Sequence, residues 1–256
     1  MPALARDEGI VLRRRTYGDA DRILVVFTQA RGKLSLLAKG ARRARARNAP
    51  GLDLLARSEL LLIPGRQLAV LAQARPLGPP WPAQDPVRTA CGAVLAELAD
   101  AILEEGQAEP ELYGLVAEAR DRMAVAQGEA QTELAIAALQ IAASGGYLPE
   151  VNRCAGCGEE LRDRQGGFVP ALGGVVQGRC WEQAPGALAC SGASLKVLRR
   201  LELGDLELVR RLRWTEAVRN ELESILLAHL EHHLDKPLRA ARVLTELRAS
   251  LPRATS

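Results

Sequence analysis

The forty residues from Val11 to Pro50 constrain this chain more than any other stretch. They combine apolar β-type runs with eleven Lys or Arg, opposed only by Asp19 and Asp21. The segment therefore carries +9 while the whole 256-residue chain carries +3, which leaves −6 for everything else. Segregated positive charge on a β-rich segment points first to a nucleic-acid surface, because phosphate binding is the commonest use of such a field. A solvated charge run is the plainer alternative. The side chains that qualify as DNA contacts are Arg13, Arg14, Arg15, Lys33, Lys39, Arg42, Arg43, Arg45 and Arg47.

The β pattern covers Glu8 to Arg75. Gly9–Arg14, Arg22–Thr28 and Lys33–Lys39 are rich in Ile, Val and Leu, and Gln29-Ala30-Arg31-Gly32 reads as a hairpin turn with Gly supplying a positive φ. Two further strands are expected at Ser58–Ile63 and Gln67–Arg75, separated by Pro64-Gly65. Five short strands in so few residues predict a small closed or nearly closed barrel of the OB type. Between the third and fourth strands, Gly40–Gly51 holds Arg42, Arg43, Arg45 and Arg47 without apolar periodicity. It reads as a basic loop that orders on a polyanion, or as a linker kept soluble by its charges.

Leu77-Gly78-Pro79-Pro80-Trp81-Pro82 is the best domain boundary, and a helical texture follows it. Apolar residues near the 3.6 period predict helices over Pro86–Glu105, Glu111–Ala126 and Thr132–Ser144. From Glu97 to Glu133 ten acids face only Arg120 and Arg122. That surface is either solvated or a dock for a basic partner. Helix returns from Ala193 to the C-terminus, with Ser194 as a candidate cap and Arg213–Leu234 as a long amphipathic run. Lys196, Arg199, Arg200, Arg210, Arg211 and Arg213 form a second basic cluster there, for DNA or a partner. His229, His232 and His233 lie at helical spacing; without an HExxH pattern they read as a solvated helix end.

Five cysteines, four of them within residues 154–190, favour a metal site over a disulfide framework. Cys154-Ala-Gly-Cys157-Gly is a zinc-knuckle pattern, in which a tight turn aims two thiolates at one ion. Cys180 supplies a third ligand at ordinary spacing, and Cys190 is the expected fourth although nine residues separate the two. One structural zinc held by Cys154, Cys157, Cys180 and Cys190 is the expectation; a site that has lost its metal and a redox dithiol are the alternatives. Cys91 sits on a helical apolar pattern and reads as a core thiol.

Several function classes are disfavoured. Aromatic content of 3% argues against a binding face built from many stacking rings. No apolar run is long enough to span a bilayer and no leader pattern opens the chain, so a soluble intracellular protein is expected. GxxxxGK[ST], GxGxxG and GxSxG are absent, and no residue stands out as nucleophile or general base. A metal-dependent nucleic-acid enzyme is accordingly the weakest reading. The stronger rival to DNA binding is an adaptor whose basic surface docks acidic partner peptides.

Several stretches, in order along the whole chain, resemble the RecO family of bacterial recombination mediators. They are Ile10-Val-Leu with Thr16-Tyr-Gly-Asp-Ala-Asp21-Arg-Ile, then Thr28-Gln-Ala-Arg-Gly-Lys33 continuing through Lys39-Gly-Ala-Arg42-Arg43. Gly145-Gly146-Tyr147-Leu148-Pro149 leads into the knuckle, Phe168 and Gly173-Gly174 precede Cys180, and His233-Leu-Asp-Lys236-Pro-Leu-Arg239 closes the set. The chain departs from the pattern at Gln183, where a second CxxC would place cysteine.

The resemblance implies an α+β multidomain fold: an N-terminal OB-fold β-barrel over 1–79, a helical domain over 80–150 and 193–256, and an embedded zinc-binding insert over 151–192. It implies a non-enzymatic, cytoplasmic, nucleoid-associated bacterial factor in recombinational DNA repair. Such a factor binds single- and double-stranded DNA, anneals complementary strands and, with RecR, helps load RecA onto DNA coated by single-stranded-DNA-binding protein. By motif it nominates Lys39, Arg42 and Arg43 as DNA contacts.

Overall fold

The computed structural model describes residues 4–43, 51–65, 68–125, 130–162 and 164–250. Packing separates the chain into two compact units, Met1–Gln127 with Ala240–Ser256, and Gly128–Arg239.

The first unit is built on a closed barrel in the order β1-β2-β3-β5-β4, the strands being Ala5–Tyr17, Asp21–Thr28, Gly32–Ala38, Arg57–Ile63 and Ala69–Pro76 for β1 to β5. This is the OB-like connectivity expected from the strand pattern. β1 is long enough to serve both sides: Ala5–Ile10 pairs with β4 and Gly9–Tyr17 pairs with β2. A bulge between Val11 and Arg13 bends it between the two. Gly9 sits where β1 serves both partners. A Cβ there would lie 2.7 Å from side-chain atoms of both Leu60 and Val26. The parallel register Leu36↔Ala69 closes the barrel. Its interior is apolar, with Val11, Leu24, Val26, Leu36, Leu60 and Leu62 all buried. Alternation puts Ser58, Leu60 and Leu62 of β4 inward. The hairpin turn has Gly32 at φ +67°, as its sequence requires.

Two helices, α1 (Pro86–Ile102) and α2 (Pro110–Val125), follow the barrel within this unit, and α8 (Arg239–Ser250) joins them through an Ala240 amide that donates to Glu97. Asp85 caps α1 by accepting from the Arg88 amide. The boundary expected at residue 79 falls at the Pro-rich break, yet packing groups α1, α2 and α8 with the barrel. Aromatic packing and charge both join them, with Phe27 of β2 edge-on to Tyr113 of α2 at 5.2 Å. Arg57 of the barrel bonds Glu8 and Asp121, each at 2.6 Å, and the Tyr113 hydroxyl donates to Glu8. Burial, reinforced by Glu8, pushes the Tyr113 phenol far above its ordinary range. Arg120 is fully buried; it donates to the carbonyls of Leu55 and Pro79 and to Asp121, and lies over Trp81. Of the acidic stretch, Asp121 thus meets a basic partner within its own unit, while Glu104, Glu105, Glu111 and Glu118 are exposed.

The second unit holds α3 (Ala130–Ser144), the cysteine-bearing insert, and α5 (Gly192–Glu202), α6 (Leu206–Arg211) and α7 (Glu216–Leu234). The insert has a three-stranded antiparallel sheet in the order β7-β6-β8, made from Gly166–Val169 (β6), Gly174–Val176 (β7) and Leu188–Cys190 (β8), with the short α4 (Gly178–Glu182) between β7 and β8. Ser191 rather than Ser194 caps α5: its hydroxyl accepts from the Ser194 amide, and Ser194 is buried with its own hydroxyl donating to Glu221. Burial opposes the Glu221 carboxylate, but hydrogen bonds from Ser194 and Ser191 outweigh it and hold its pKa low.

The histidines are a correction to the expected solvated helix end. His229 is buried against Tyr147, its Nε2 lying 2.6 Å from the Tyr147 carbonyl, with Phe168 packed edge-on at 5.4 Å. His233 stacks on Tyr147 at 5.0 Å. His229 and His233 therefore tie α7 to Tyr147 before the insert and to Phe168 within it, and only His232 is exposed.

Candidate functional site

The basic residues of the barrel fall into two groups. β1, β2 and β3 form a cleft of about 320 Å³ lined by Arg13, Arg14, Arg15, Ile23, Val25 and Ser35. The ladder explains the grouping, since Arg13 opposes Val25, Arg15 opposes Ile23, and Val25 in turn opposes Ser35. Three guanidiniums over an apolar strip suit a polyanion whose bases are also apolar-faced. Arg13 is bonded to Asp100 of α1 at 3.0 Å, and Lys33 gives its ammonium to the Asp100 carbonyl at 2.8 Å. Arg14 is bonded to Asp53, with Arg22 farther off at 3.9 Å. Among the described residues Arg42 reaches the carbonyls of Gly18 and Asp19, at 3.4 and 3.3 Å. Arg15, Lys39 and Arg43 are exposed and have no carboxylate partner among the described residues. Arg45 and Arg47 lie outside the described residues.

Two features of this face were not legible in the pattern. Tyr17, 53% exposed at the end of β1, stands two residues beyond Arg15 and so on the same side of the strand. Asp53 and Asp100 are the counter-charges that hold Arg14, Arg13 and Lys33. Only Thr16-Tyr17 at the end of β1, with the Gly18 turn after it, could have signalled the first; the second pair is distant in sequence.

The second basic cluster separates into different roles. Arg199 donates to the carbonyls of Val151 and Leu161, both at 2.9 Å, and so clamps the insert to α5. Arg210 is mostly buried against Glu133 at 3.2 Å and also bonds Glu207. Arg200 pairs with Asp205. Lys196, Arg211 and Arg213 are exposed. The cluster is thus no single basic face, because Arg199 and Arg210 spend their donors inside the unit.

The cysteines converge, but as three. The Sγ atoms of Cys154, Cys157 and Cys180 lie within 4.8 Å of one another. Thiolates held tetrahedrally by one ion at about 2.3 Å are about 3.8 Å apart, so a small contraction would seat a metal. The turn that brings them together is built as the CxxCG pattern requires. The Gly158 amide donates to the Cys154 carbonyl at 2.8 Å with Gly158 at φ +77°, and Ala155 is tied to Val175 at 2.9 Å. A Cβ on Gly156 would sit 3.0 Å from both Cβ and Sγ of Cys180, filling the space between knuckle and third thiol. The thiols sense one another. Burial works against the Cys154 thiolate, but hydrogen bonds from the Gln177, Cys157 and Gly156 backbones outweigh it and bring its pKa to about 7. The Cys157 hydrogen bond, some desolvation and the neighbouring Cys154 push Cys180 up to about 11. A donor set that sheds one proton easily and resists the next is complementary to a cation.

Cys190, the expected fourth ligand, is placed elsewhere. It ends β8 opposite Gly166, is fully buried, and its Sγ lies 3.9 Å from the Ser191 carbonyl. Burial, with Glu221 nearby, pushes its thiol up to about 12. The strand register that leads into the α5 cap commits it to the core. Cys91 is fully buried in α1, as its pattern indicated.

Comparison with known proteins follows this geometry. The family model described as recombination protein O N terminal matches residues 1–80, and that described as recombination protein O C terminal matches residues 83–242. The chain belongs to the RecO family of recombination and DNA repair proteins. A DNA repair protein RecO of Desulforudis audaxviator is 36% identical over 244 residues, covering 94% of this chain and 96% of its own length. That of Symbiobacterium thermophilum is 31% identical, covering 97% of this chain and 99% of its own. That of Roseiflexus is 31% identical over 249 residues, 96% and 87% respectively. The two family models meet at the Pro-rich break after β5. Among the described residues no helix is long and apolar enough to cross a membrane.

Proposed function

We propose that the chain is a DNA-binding recombination mediator that works by binding and annealing rather than by catalysis. The observation that carries this reading is the arginine-lined cleft across β1–β3, on a barrel that also exposes Lys39 and Arg43 without a carboxylate partner among the described residues. Phosphates entering it would release counterions, and two strands held on one cationic surface repel each other less, so annealing needs no nucleotide hydrolysis. Backbone contacts dominate, so little sequence preference is expected, on single strands and duplex alike. On this reading the barrel over 1–79 carries DNA, and the insert over 151–192 carries one structural zinc. The helices of 80–150 and 193–256 serve protein partners, RecR among them, in loading RecA onto DNA coated by single-stranded-DNA-binding protein.

Anisotropy of a labelled oligonucleotide over a salt series, single strand beside duplex, tests the proposal. With four to six phosphates neutralised, log K should fall against log[salt] with a slope of about −3.5 to −5. No binding at low salt would sink it.

A second reading concerns the acidic tail of single-stranded-DNA-binding protein. Leu203, Leu208 and Leu212 are 72%, 44% and 42% exposed beside the exposed Arg211 and Arg213. Apolar side chains flanked by guanidiniums suit a short acidic peptide with an apolar end. Loss of peptide binding in the Arg211→Ala, Arg213→Ala variant, with DNA binding intact, would separate the two surfaces.

A further inference from the structure

We infer that the metal centre is completed from outside the chain: Cys154, Cys157 and Cys180 hold the ion, Cys190 takes no part, and the fourth position receives a small anionic thiol through a neighbouring cleft. The inference rests on the reading that the cluster binds a metal, and goes beyond it by naming what completes the site.

Three observations support it. First, the only cysteine left in the insert is withdrawn. Cys190 is fully buried at the end of β8, and the three-thiol group contains no fourth His, Cys, Asp or Glu among the described residues. Gln183, at the position a second CxxC would use, sits exposed as the C-cap of α4.

Second, the cluster opens to one side. Cys154 is buried and Cys157 exposed, and Cys157 and Cys180 both line an open cleft of about 1020 Å³. A closed structural site has no such access. Third, the same cleft is lined by Arg162, Arg164 and Arg179, all exposed, together with Glu159 and Glu160. Among the described lining residues three arginines stand beside two carboxylates, and a guanidinium takes a carboxylate through paired N–H donors.

The chemistry selects the ligand class. Three thiolates make a soft set, and a fourth thiolate matches it better than an oxygen donor. A low-molecular-mass thiol bearing carboxylates would give its sulfur to the ion and its carboxylates to the arginines. The bond formed is sulfur to metal, and the thiol proton passes to solvent, so no oxidant or reductant is needed.

The test uses the full chain loaded with Co²⁺ in a non-thiol reductant. The visible d–d bands report coordination number and sulfur count. Wild type and Cys190→Ser should give the same three-sulfur spectrum. Glutathione, added as the probe, should shift both to the four-sulfur form, whereas inorganic phosphate should not. Mercaptoethanol, a neutral thiol, should act more weakly. Arg162→Ala with Arg164→Ala should weaken glutathione about tenfold and leave mercaptoethanol unchanged. A four-sulfur spectrum before any thiol is added, lost in Cys190→Ser, would overturn the inference. So would a spectrum indifferent to every added thiol, which would mean the chain closes its own site. A phosphate response equal to that of glutathione would replace the thiol with an oxyanion and equally refute the ligand class. Failure to take up Co²⁺ or Zn²⁺ at all would refute the metal reading itself, a result distinguishable from the others by metal content alone.

Discussion

If the barrel face binds phosphates, its unpaired cations should set the salt dependence, and its paired ones should not. Arg15, Lys39 and Arg43 have no carboxylate partner among the described residues, whereas Arg13 and Lys33 share Asp100. Each phosphate neutralised on duplex DNA contributes about −0.9 to the slope of log K against log[salt]. The Arg15→Ala, Lys39→Ala, Arg43→Ala variant should therefore flatten the slope by about 2.7 on duplex and, at about 0.7 per phosphate, by about 2.1 on single strands. Between 50 and 200 mM salt, a fourfold change, a slope difference of 2.7 removes about 40-fold of the wild-type loss in affinity. The companion variant, Arg13→Ala with Lys33→Ala, should flatten the duplex slope by less than about 1, because those cations already neutralise a protein carboxylate. Its effect should appear instead as lower thermal stability, since the Asp100 side chain, only 14% exposed, is left without partners. Anisotropy titrations at four or five salt concentrations read both slopes. Equal flattening by the two variants would show that ion pairing inside the barrel does not decide which arginines meet DNA. No flattening by the triple variant would remove DNA from this face altogether.

Three further outcomes are expected. Arg120→Leu should destabilise the barrel unit by about 3–5 kcal/mol in chemical denaturation, because the Leu55 and Pro79 carbonyls lose a buried partner; a loss below about 1 kcal/mol would contradict the structure. Burial of His229 lowers its pKa, with the Tyr147 carbonyl opposing and His233 and His232 reinforcing the shift. The unfolded chain then binds the extra proton first, so stability should hold above about pH 6.5 and fall as pH drops from there towards the depressed folded value. In His229→Phe a pH-melting series should lose that component; a slope unchanged by the variant would assign it elsewhere. Finally, Zn²⁺ at a hundredfold over its Kd should stabilise the fold by about 2.7 kcal/mol, reversibly with a chelator, and Cys180→Ser should abolish the gain while Cys190→Ser keeps it.

Local chemistry was the legible part of this molecule. The hairpin at Gly32, the five strands and the CxxCG turn each depend on residues within a few positions of one another, and each forms in the region its pattern indicates, although β1 extends to Ala5 and Tyr17 beyond the expected Gly9–Arg14 and Gln67 lies outside the described residues. What failed depended on distant partners. Cys190 looked available as a ligand because spacing cannot show that β8 pairs with β6 and buries it. His229 looked solvated because helical spacing is blind to Tyr147, 82 residues away. Ser191 and Ser194 are both good caps by type, and only the Glu221 carboxylate, which accepts from the Ser191 amide and the Ser194 hydroxyl, decides which one begins α5. The insert sheet was invisible because strands of three and four residues in a Gly-rich segment carry too little alternation to register.

The same reasoning changes what the segregated charge means. A +9 segment followed by an acidic stretch reads along the chain as two surfaces for two partners, but Arg13–Asp100 and Lys33–Asp100 join them inside one unit, and Arg57–Asp121 adds a further link from the barrel. The acids thus do two things at once. They anchor α1 and α2 to the barrel, and they withdraw some cations from the face while leaving Arg15, Lys39 and Arg43 uncompensated. Charge counting along the chain overstates the binding surface by the paired residues. On that basis the affinity of this face for DNA is set less by how many arginines the segment contains than by which of them the helices leave free. Asp100→Asn should then raise duplex affinity at low salt and steepen the salt slope by up to about 1, as Arg13 is released to solvent. A variant that binds no better than wild type would show that Arg13 is placed by β1 alone, and that Asp100 serves only to hold the helix.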